Sequence, residues 1–498
     1  MDTQAIIVGA GPVGLMLAGE LRLAGVDVVV LEQRLTRSGE SRGVGFTARA
    51  TELFRQRGLL RRLGEVEISR NGHFGGIPLD FGVLEGSHFG VRGVPQHRVE
   101  RMLEEWVTEL GATVLRGHRL TGLRESGGTV TVTAEGPDGP AEHSAAHLVG
   151  CDGGHSTVRQ LAGFDFPGSD ATREMYLADV VGGTIRPRPI GERVPGGMVM
   201  SGPLGDGVDR IIVCPTGAPP SAVPQRTFAE VAEVWERLTG ESLHGARATW
   251  VSSFTDATRQ VTRYRRGRVL LAGDAAHIHL PAGGQGLSLG VQDAANLGWK
   301  LAATINGWAP EGLLDSYHTE RHPVGERVLR NTLAQGILYL SGAEIEPLRS
   351  VMTELMEIPD VGRHLSGMVS GLDIRYPGGT AGDPLTGTRI PDSAIELAGG
   401  RLAQVADLLL RARGVLLTSS PGAAAVRLAD GWEDRVDLVA TRRTSAPGAA
   451  ESVLIRPDGY VAWAGRADDG GLGEALRRWF GAARDSARRP AGPAAHAV

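Results

Sequence analysis

Three short glycine-rich motifs carry residue types that suit the binding of a phosphorylated ligand. Gly9, Gly11 and Gly14 form the pattern G-x-G-x-x-G directly after the apolar run 6–8. Such glycines permit a tight turn, a close approach of the backbone to a pyrophosphate and close packing of a helix on a sheet. Glu32 ends the next apolar run, where its carboxylate can accept hydrogen bonds from a ribose hydroxyl. Because that charge repels a 2′-phosphate, this unit predicts FAD or NAD rather than NADP.

The other two motifs place an acid beside glycines at the end of an apolar run. Asp152 follows the run 147–150, and its alternative role is that of a turn or helix-capping residue. Asp274 follows the run 269–271 and precedes a loop rich in glycine and proline, 281–286. A helix that begins after this loop would present its N-terminus to developing negative charge. We therefore interpret the motif as functional, with an unusual structural loop as the alternative.

The elements that must position these motifs indicate an α/β fold. The first motif lies between a strand and a helix predicted over 12–23, and Glu32 ends the second strand of this βαβ unit. Further helices are predicted from about 287 to 305, interrupted near Gly290, and over 313–340. Acids and glycines that end parallel strands lie on the ligand-binding edge of an open sheet. The pattern therefore predicts a Rossmann-like nucleotide-binding domain.

Changes of pattern divide the chain into three domains and a tail. The middle of the chain alternates short strands with Gly and Pro turns and contains one helix near 227–238, which predicts a β-rich domain. Near the C-terminus a strand, a helix, a strand, a hairpin turning at Pro457-Asp458-Gly459 and a last helix, 471–480, predict a small third domain. The predicted boundaries are 1–165 with 262–390 for the nucleotide-binding domain and its helices (including a substrate-side insertion, 70–98), 166–261 for the β-rich domain, 391–481 for the third domain and 482–498 for a disordered tail.

Composition disfavours several classes of protein. The net charge of −5 is spread over both signs, so nothing favours a nucleic acid or an anionic membrane as a partner. The two cysteines, Cys151 and Cys214, lack metal-ligand spacing, which disfavours a zinc site or a disulfide framework. No run of 18 apolar residues predicts a membrane span, and the start lacks the basic region of a signal peptide. We expect a cytoplasmic protein.

With these residues in hand, the chain resembles the single-component class A flavoprotein monooxygenases. The motifs occur in that family's order, namely 9–14 with Glu32, 152–159 and 273–286. The closer similarity is to the aromatic polyketide hydroxylases of angucycline biosynthesis, and it is carried by ESRGVGFTAR, GHFGGIPLDFGVLEG, VGCDGG and AGDAAHIHLPAGGQG. It covers essentially the whole chain and implies a thioredoxin-like C-terminal domain. Without a C-x-x-C pair this domain cannot be a dithiol oxidoreductase, so its expected roles are packing or oligomer contacts, a homodimer included.

The resemblance implies tightly bound, non-covalent FAD, with O₂ and transiently bound NADPH as co-substrates. No second G-x-G-x-x-G is present, so NADPH should bind without a Rossmann domain of its own. Asp152 is associated in the family with both FAD and NADPH. The other implied FAD contacts are Gly9, Gly11 and Gly14 on the pyrophosphate, Glu32 on the adenosine ribose, Arg42 and Gln96 near the diphosphate and ribityl region, Leu120 by its backbone on adenine, Asp274 on the ribityl chain, and Pro281, Gly284, Gly286 and Leu287 around the isoalloxazine edge.

Two of these flavin positions remain open on sequence grounds. Arg42 lies in a polar loop that could bend over a dinucleotide, and a solvated loop arginine is the equal alternative. Ser288 departs from the family's pattern, because related sequences often have Asn at this position. Serine can still cap the helix. In the family this Asn contacts the flavin. The replacement by serine therefore affects that contact, and with it the efficiency of hydroxylation.

The expected reaction is aromatic hydroxylation of an angucyclinone-like polycyclic polyketide. In the mechanism that the resemblance implies, NADPH reduces FAD, O₂ adds at flavin C4a, and the distal oxygen of the hydroperoxide goes to an electron-rich ring carbon. Pro281 and Gly284 belong to the catalytic flavin-edge loop, and no side-chain base is assigned. His73 is a candidate for the substrate pocket, with a structural or surface histidine as the alternative. Met198 and Met200 are candidate pocket liners, and ordinary sheet core is the favoured interpretation.

Three alternative functions follow from the same motifs. A Baeyer–Villiger oxygenase acting on a similar polyketide would share fold and FAD motifs, and only product connectivity separates it from a hydroxylase. A flavin halogenase is disfavoured because no W-x-W-x-I-P signature occurs. A redox-inactive flavin-binding accessory protein is disfavoured by Asp274, Pro281 and the glycine loop, whereas Ser288 leaves it open. Consumption of O₂ coupled to NADPH would exclude it.

Overall fold

A six-stranded sheet forms the centre of the computed structural model. The model describes residues 2–84, 90–217, 219–220, 226–378, 384–422, 426, 431–443, 450–467 and 470–484. All neighbouring strands of the sheet run parallel except at one edge, where Arg265–Arg266 is antiparallel. The first strand is buried at every position, as a sheet covered on both faces requires. In spatial order the strands are Arg265–Arg266, Val269–Leu271, His147–Gly150, Ala5–Val8, Val28–Glu32 and Thr113–Arg116.

The helix Pro12–Leu23 follows the first strand of the central sheet and connects it to two longer helices. It packs against both Gln96–Glu109 and Gln285–Ile305. Its bounds match the predicted ones, because Pro12 fixes the first turn and Gly25, with φ +76°, follows the last. The remaining elements of this part are the helices Ala48–Gln56 and Thr157–Leu161 and an antiparallel sheet of Arg119–Ser126, Thr129–Gly136 and Gly139–Ala145.

The middle of the chain forms a five-stranded antiparallel sheet, as the strand pattern predicted. One face is covered by the helix Phe228–Thr239, whose Trp235 is fully buried in the cluster beneath it. The sequence of this helix contains its own start signal, since Thr227 and Glu230 form a capping box. The strands, in spatial order, are Arg188–Val194, Gly197–Gly205, Val208–Pro215, Glu174–Val181 and Arg247–Thr255.

Several elements connect the two sheets. A separate three-stranded ladder consists of Gly168–Ser169, Thr258–Gln260 and His277–Ile278. Two small hairpin-like pairs, Ile68–Ser69 with Val91–Arg92 and Asn71–Phe74 with Ile77–Asp80, form most of the described insertion. The helix Ser316–Leu340 was predicted. The helices Glu346–Met356 and Pro359–Ser370 were not assigned from the sequence.

The C-terminal part contains a six-stranded mixed sheet. Its central strands Gly414–Thr418 and Val436–Arg443 are parallel, and the hairpin Ser452–Ile455 with Val461–Gly465 runs antiparallel beside them. This arrangement agrees with the thioredoxin-like interpretation, which stays a prediction. The other elements are the strands Ala394–Leu397 and Leu402–Gln404 and the helices Val405–Leu408 and Gly471–Phe480. The helix predicted between the parallel strands and most of the predicted tail, 485–498, lie outside the described residues.

The turn of the C-terminal hairpin is buried in the nucleotide-binding part of the molecule. Arg49 donates to the carbonyl oxygen of Asp458 over 2.8 Å, and Arg57 donates to that of Pro457 over 2.7 Å. Arg456 makes a two-pronged ion pair with Glu320, at 2.6 and 2.8 Å. Side chains of both partners are almost fully buried. The C-terminal domain is therefore joined to the rest of the chain by a desolvated polar contact.

The predicted α/β class with a β-rich domain and a separate C-terminal domain is confirmed. In the part of the chain that the structure describes, no helix is long and apolar enough to cross a membrane, and no group of three or more His, Cys, Asp or Glu could hold a metal ion. Cys151 and Cys214 are both buried free thiols. The domain boundaries stay predictions.

Candidate functional site

The three motifs meet at the carboxyl edge of the central sheet. Gly9 has φ +104°, and a Cβ there would lie 2.4 Å from the carbonyl oxygen of Cys151, so the first motif touches the second. Val13, in the first turn of the first helix, touches both the third motif and the helix that follows it. A Cβ on Gly273 would lie 2.9 Å from a Val13 methyl group, and one on Gly290 would lie 2.5 Å from it. Close packing of glycines thus brings together motifs that are over 100 residues apart in the chain.

Gly11 and Gly14 have opposite surroundings. Gly14 has no room for a side chain, because a Cβ there would lie 2.0 Å from the carbonyl oxygen of Gly9. A Cβ on Gly11 would meet no described atom within 4 Å. Gly11 is also the N-cap residue of Pro12–Leu23, and glycine has no side chain to satisfy the first N–H groups of that helix. Open space in front of unsatisfied N–H groups is the arrangement that binds a phosphate.

Glu32 holds the first motif in place. One carboxylate oxygen accepts from the N–H of Ala10 over 2.9 Å, and the other accepts from the N–H of Arg34 over 2.9 Å. Each oxygen keeps a second lone pair for an outside donor such as a ribose hydroxyl. The carbonyl oxygen of Glu32 accepts from His118, two residues before Leu120. The strand that contains Leu120 therefore begins beside the acid.

Asp152 shapes the second motif. Its carboxylate accepts from the Ser156 hydroxyl and, over 3.0 Å, from the N–H of Val158, which fixes the start of the short helix Thr157–Leu161. Burial raises the pKa of the Asp152 carboxyl above its ordinary value, against those two hydrogen bonds, which lower it. Ser156 is the N-cap residue of this helix, and Asp152 supports the cap through these two contacts, so a structural role close to the predicted alternative is present.

The third motif exposes an acid beside a second open helix start. Asp274 follows the strand Val269–Leu271, and its side chain is exposed at the sheet edge. The loop then leads through Pro281 to Gly284, the N-cap residue of Gln285–Ile305, which again has no side chain with which to cap the helix. Gly284 has φ +65°, and a Cβ on it would meet no described atom within 4 Å. Gly286 and Leu287 are partly exposed in the first turn.

The expectation that Ser288 caps its own helix is wrong. The helix begins at Gln285, two residues before the predicted start, and continues through Gly290 without interruption. Ser288 is therefore in the interior of the helix and only 2% exposed. Its hydroxyl oxygen accepts from the N–H of Thr47 over 2.9 Å. This bond ties the helix Gln285–Ile305, called the flavin-edge helix after the FAD contacts predicted at its start, to the start of Ala48–Gln56.

The polar loop after Glu32 bends back over this edge. Gln96 accepts from the N–H of Gly43 over 3.4 Å and donates its own N–H to the carbonyl oxygen of Gly43 over 3.0 Å. Arg42, the neighbour of Gly43, is exposed, and its carbonyl oxygen accepts from Arg210 of the β-rich sheet over 3.1 Å. The loop therefore connects the two sheets and holds the Arg42 side chain near their junction.

His73 lies on the other side of the flavin-edge loop. Its strand, Asn71–Phe74, contacts the 3₁₀ turn Ala282–Gly284. Burial lowers the pKa of the His73 imidazole to about 4, so the ring is neutral near pH 7. Nδ1 accepts from the N–H of Gly76 over 3.2 Å, so Nε2 is the nitrogen that bears the proton. A ring in this state is a hydrogen-bond donor and does not accept a proton without losing the Gly76 contact.

An apolar cluster joins the β-rich sheet to the same loop. Met175, Met198 and Cys214 of the sheet pack with Leu280 and Ala282, which flank Pro281. Met200 packs against this cluster and is only partly buried. Met198 is therefore sheet core, in agreement with the favoured interpretation, and the core reaches the flavin-edge loop directly.

A cavity of about 740 Å³ lies beside the helix Gln285–Ile305, four residues of which line it (Gln285, Ser288, Leu289 and Gln292). Ser288, Gln292, Val324, Met368 and Tyr376 are among its lining residues. The motif glycines, Asp274 and Pro281 do not line it. The arrangement of helix N-termini and acids instead locates the candidate site at the sheet edge.

Three charged residues support the site: Arg159 belongs to the predicted motif 152–159, whereas Asp293 and Arg321 were assigned no role from the sequence. Arg159 donates to the carbonyl oxygens of Ala275, over 3.0 Å, and Gly154, so it ties the second motif to the third. Asp293 and Arg321 form a buried ion pair directly behind Gly273. A signal for Asp293 was available, because Asp293 and Lys300 are the two charged residues of the largely apolar helix Gln285–Ile305, and a charge that is buried there must be paired.

Family comparisons agree with this geometry. The profile of the FAD binding domain matches residues 2–332, and that of the C-terminal domain of aromatic-ring hydroxylases matches residues 383–483. The chain belongs to the FAD-binding aromatic-ring hydroxylases. It is a flavin-dependent monooxygenase of this family, and its open helix N-termini, exposed Asp274 and paired Glu32 fit FAD.

Three similar proteins illustrate what this chain resembles along almost its whole length. An anhydrotetracycline monooxygenase of Streptomyces rimosus is 43% identical over 97% of this chain and 99% of its own length. The crystal structure of an aromatic hydroxylase from angucycline biosynthesis is 58% identical, with a TM-score of 0.93 over 97% of this chain and 100% of that one. The structure of a Diels–Alderase from pyrroindomycin biosynthesis is 40% identical, with a TM-score of 0.86 over 97% and 100% of the two chains.

Proposed function

We propose that this monooxygenase hydroxylates an electron-rich ring of a polycyclic aromatic polyketide of angucyclinone type, with NADPH as the reductant of FAD. The observation that carries the proposal is the meeting of two open helix N-termini and an exposed acid at one sheet edge, directly beside the apolar face of a second sheet. Such an arrangement suits a large charged cofactor on one side and a large apolar substrate on the other. The printed names of the relatives support the substrate class.

Each motif has a distinct task in this proposal. Gly11 and the first helix N-terminus hold the pyrophosphate, Glu32 the adenosine ribose, and Asp274 the ribityl chain. The second helix N-terminus, after Gly284, stabilises negative charge on the reduced ring system. FAD, when bound and reduced, supplies the chemistry that activates O₂. The remaining assignments are Gly9 and Gly14 for the turn, Arg42 and Gln96 for the diphosphate and ribityl region, Leu120 for adenine, Asp152 for the folding of its motif beside FAD, and Pro281, Gly286 and Leu287 for the ring edge.

The β-rich sheet and the insertion form the substrate side. The cluster around Met175 and Met198 excludes water from the flavin edge and gives an apolar wall for a polycyclic ring system. His73 acts as a hydrogen-bond donor to a substrate oxygen through Nε2 rather than as a general base. NADPH binds transiently and without a Rossmann domain of its own, since the chain has only one dinucleotide motif.

The test is a product analysis with oxygen counting. The purified holoenzyme is incubated with NADPH, an early angucyclinone and ¹⁸O₂, and the product is identified by mass spectrometry and NMR. A new ring hydroxyl that contains one ¹⁸O atom is the expected result. A lactone would instead establish Baeyer–Villiger insertion. NADPH oxidation without product would exclude the angucyclinone as substrate.

A redox-inactive role is the second candidate, and the similarity to a Diels–Alderase favours it. In that case FAD would be bound but NADPH would not reduce it, and no O₂ would be consumed. Anaerobic mixing of the holoenzyme with NADPH distinguishes the two. Bleaching of the oxidised flavin spectrum, accelerated by substrate, supports the monooxygenase, whereas an unchanged spectrum supports the cyclase-type role.

A further inference from the structure

A fully buried ionic cluster lies directly behind the third motif. Asp293 and Arg321 are 0% exposed and His277 is 1% exposed. One oxygen of Asp293 lies 2.7 Å from Nε2 of His277 and accepts from the backbone N–H of Gly273 over 3.2 Å. The other accepts from Nε of Arg321 over 2.7 Å. Asp293 therefore bonds to the residue immediately before Asp274.

Arg321 extends this cluster to the flavin-edge helix. It donates to the carbonyl oxygen of Leu289 over 3.1 Å and to the hydroxyl of Tyr376 over 3.1 Å. Leu289 is two residues from Leu287, in the second turn of Gln285–Ile305. The turn that bears Asp274 and the helix that faces the ring edge are thus held by the same pair of side chains.

The cluster fixes geometry because both oxygens of the buried Asp293 carboxylate are paired with named donors. Although burial acts to raise it, the charges of Arg321 and His277 hold the pKa of Asp293 below its ordinary value, so the carboxylate is ionised. Nδ1 of His277 is buried without a hydrogen-bond partner among the described residues. A fully buried carboxylate with three donors around it holds each donor at a defined position.

We propose that Asp293 is a positioning residue that fixes Asp274 and the N-terminal turns of the flavin-edge helix against FAD, with Arg321 as its counter-ion. The proposal rests on the assignment of Asp274 and of this helix to FAD made above. Asp293 touches neither cofactor nor substrate and acts through the Gly273 N–H and through Arg321. Removing its charge should loosen both FAD contacts together, whatever the substrate of the enzyme is.

The first test is Asp293→Asn, which keeps the shape of the side chain and removes its charge. We expect the dissociation constant of FAD for the apoprotein to rise at least tenfold. The reduction potential of the flavin that remains bound should fall, because a displaced helix N-terminus stabilises the reduced, negatively charged ring less. Fluorescence titration measures the first quantity and spectroelectrochemistry the second. Neither measurement requires a substrate, so the inference and the proposed hydroxylation can fail independently.

The matched control is Glu20→Gln. Glu20 forms an equally buried ion pair with Arg57, at 2.6 Å, in the same domain but away from Gly273. Its loss should lower the melting temperature about as much as Asp293→Asn does, with unchanged FAD affinity and potential. Equal FAD affinity and potential in wild type and Asp293→Asn would overturn the proposal.

A double variant covers the case in which Asp293→Asn does not fold. Asp293→Asn with Arg321→Gln removes both charges, and neutral replacement of a buried ion pair is often tolerated. We expect this protein to regain its melting temperature while its FAD affinity stays at least tenfold weaker than that of wild type. Recovery of wild-type FAD affinity and potential together with stability would show that Asp293 has only a structural role.

Discussion

Gly11→Val and Gly14→Ala should separate loss of cofactor from loss of fold. At Gly11 the backbone has φ −78°, which any residue adopts, and a Cβ would meet no described atom within 4 Å. The apoprotein should therefore keep its free energy of unfolding within about 0.5 kcal/mol of wild type. At Gly14 a Cβ would lie 2.0 Å from a backbone carbonyl oxygen. A backbone atom in a buried turn cannot move away, so we expect a loss of about 3 kcal/mol there.

Gly11→Val should weaken FAD binding although it leaves the fold stable. The side chain of valine would occupy the space from which a phosphate reaches the first helix N–H groups. Losing one charge-assisted hydrogen bond costs about 1.5–3 kcal/mol, which corresponds to a roughly 10- to 100-fold higher dissociation constant. Fluorescence titration of the apoproteins with FAD and urea unfolding in the absence of FAD measure the two effects. Unchanged FAD affinity in Gly11→Val would refute the assignment of this helix N-terminus to the pyrophosphate.

Four further predictions follow from single contacts. Asp274→Ala, at an exposed position, should leave apoprotein stability within about 0.5 kcal/mol and weaken FAD binding about tenfold, measured by thermal unfolding and by titration. Arg456→Met leaves Glu320 and Asp458 without their buried guanidinium, so urea unfolding should show a loss of about 3–5 kcal/mol. Although burial acts to raise it, Arg456 and Lys300 lower the pKa of Glu320 from 4.5 to about 2. The stability this contributes is present above pH 4.5 and lost as pH falls towards 2, and acid unfolding of Arg456→Met, in which Lys300 still pairs with Glu320, should show a weaker dependence of the same sign. His73→Gln keeps a donor and should leave the pH profile of turnover between about pH 5 and 8 unchanged, whereas loss of a limb near pH 6.5 would identify His73 as a base.

Local sequence signals were sufficient for the first motif and the last helix. The helix Pro12–Leu23 has a proline at its start and glycine after its end, so neighbouring residues alone determine its bounds. The helix Gly471–Phe480 likewise lies where it was predicted. The three motifs could be assigned to one sheet edge because each follows a buried strand, and parallel strands share their carboxyl ends.

Long-range pairing was what the sequence could not show. Asp293 and Arg321 are 28 residues apart in the chain, and Arg159 reaches Ala275 across 116 residues. Ser288 was assigned to capping because serine caps helices, but two glycines with positive φ, Gly283 and Gly284, let the helix begin earlier and turn Ser288 towards Thr47. These outcomes depend on the three-dimensional packing of elements and not on local residue preference.

The buried hairpin turn of the C-terminal domain limits how this enzyme can be recombined with its relatives. Asp458 accepts from Asn296 over 3.2 Å, in the middle of the same helix whose first turns face the flavin edge. A chimera that received a foreign C-terminal domain from residue 391 onwards would divide this charge cluster. Lys300 and Glu320 would come from one parent, and Arg456 and Asp458 from the other. Shuffled enzymes of this kind should therefore keep their stability only when Glu320 and Lys300 are inherited together with Arg456 and Asp458. The segment that can be exchanged between enzymes is therefore larger than the C-terminal domain, because it must include Lys300 and Glu320 of the neighbouring helices.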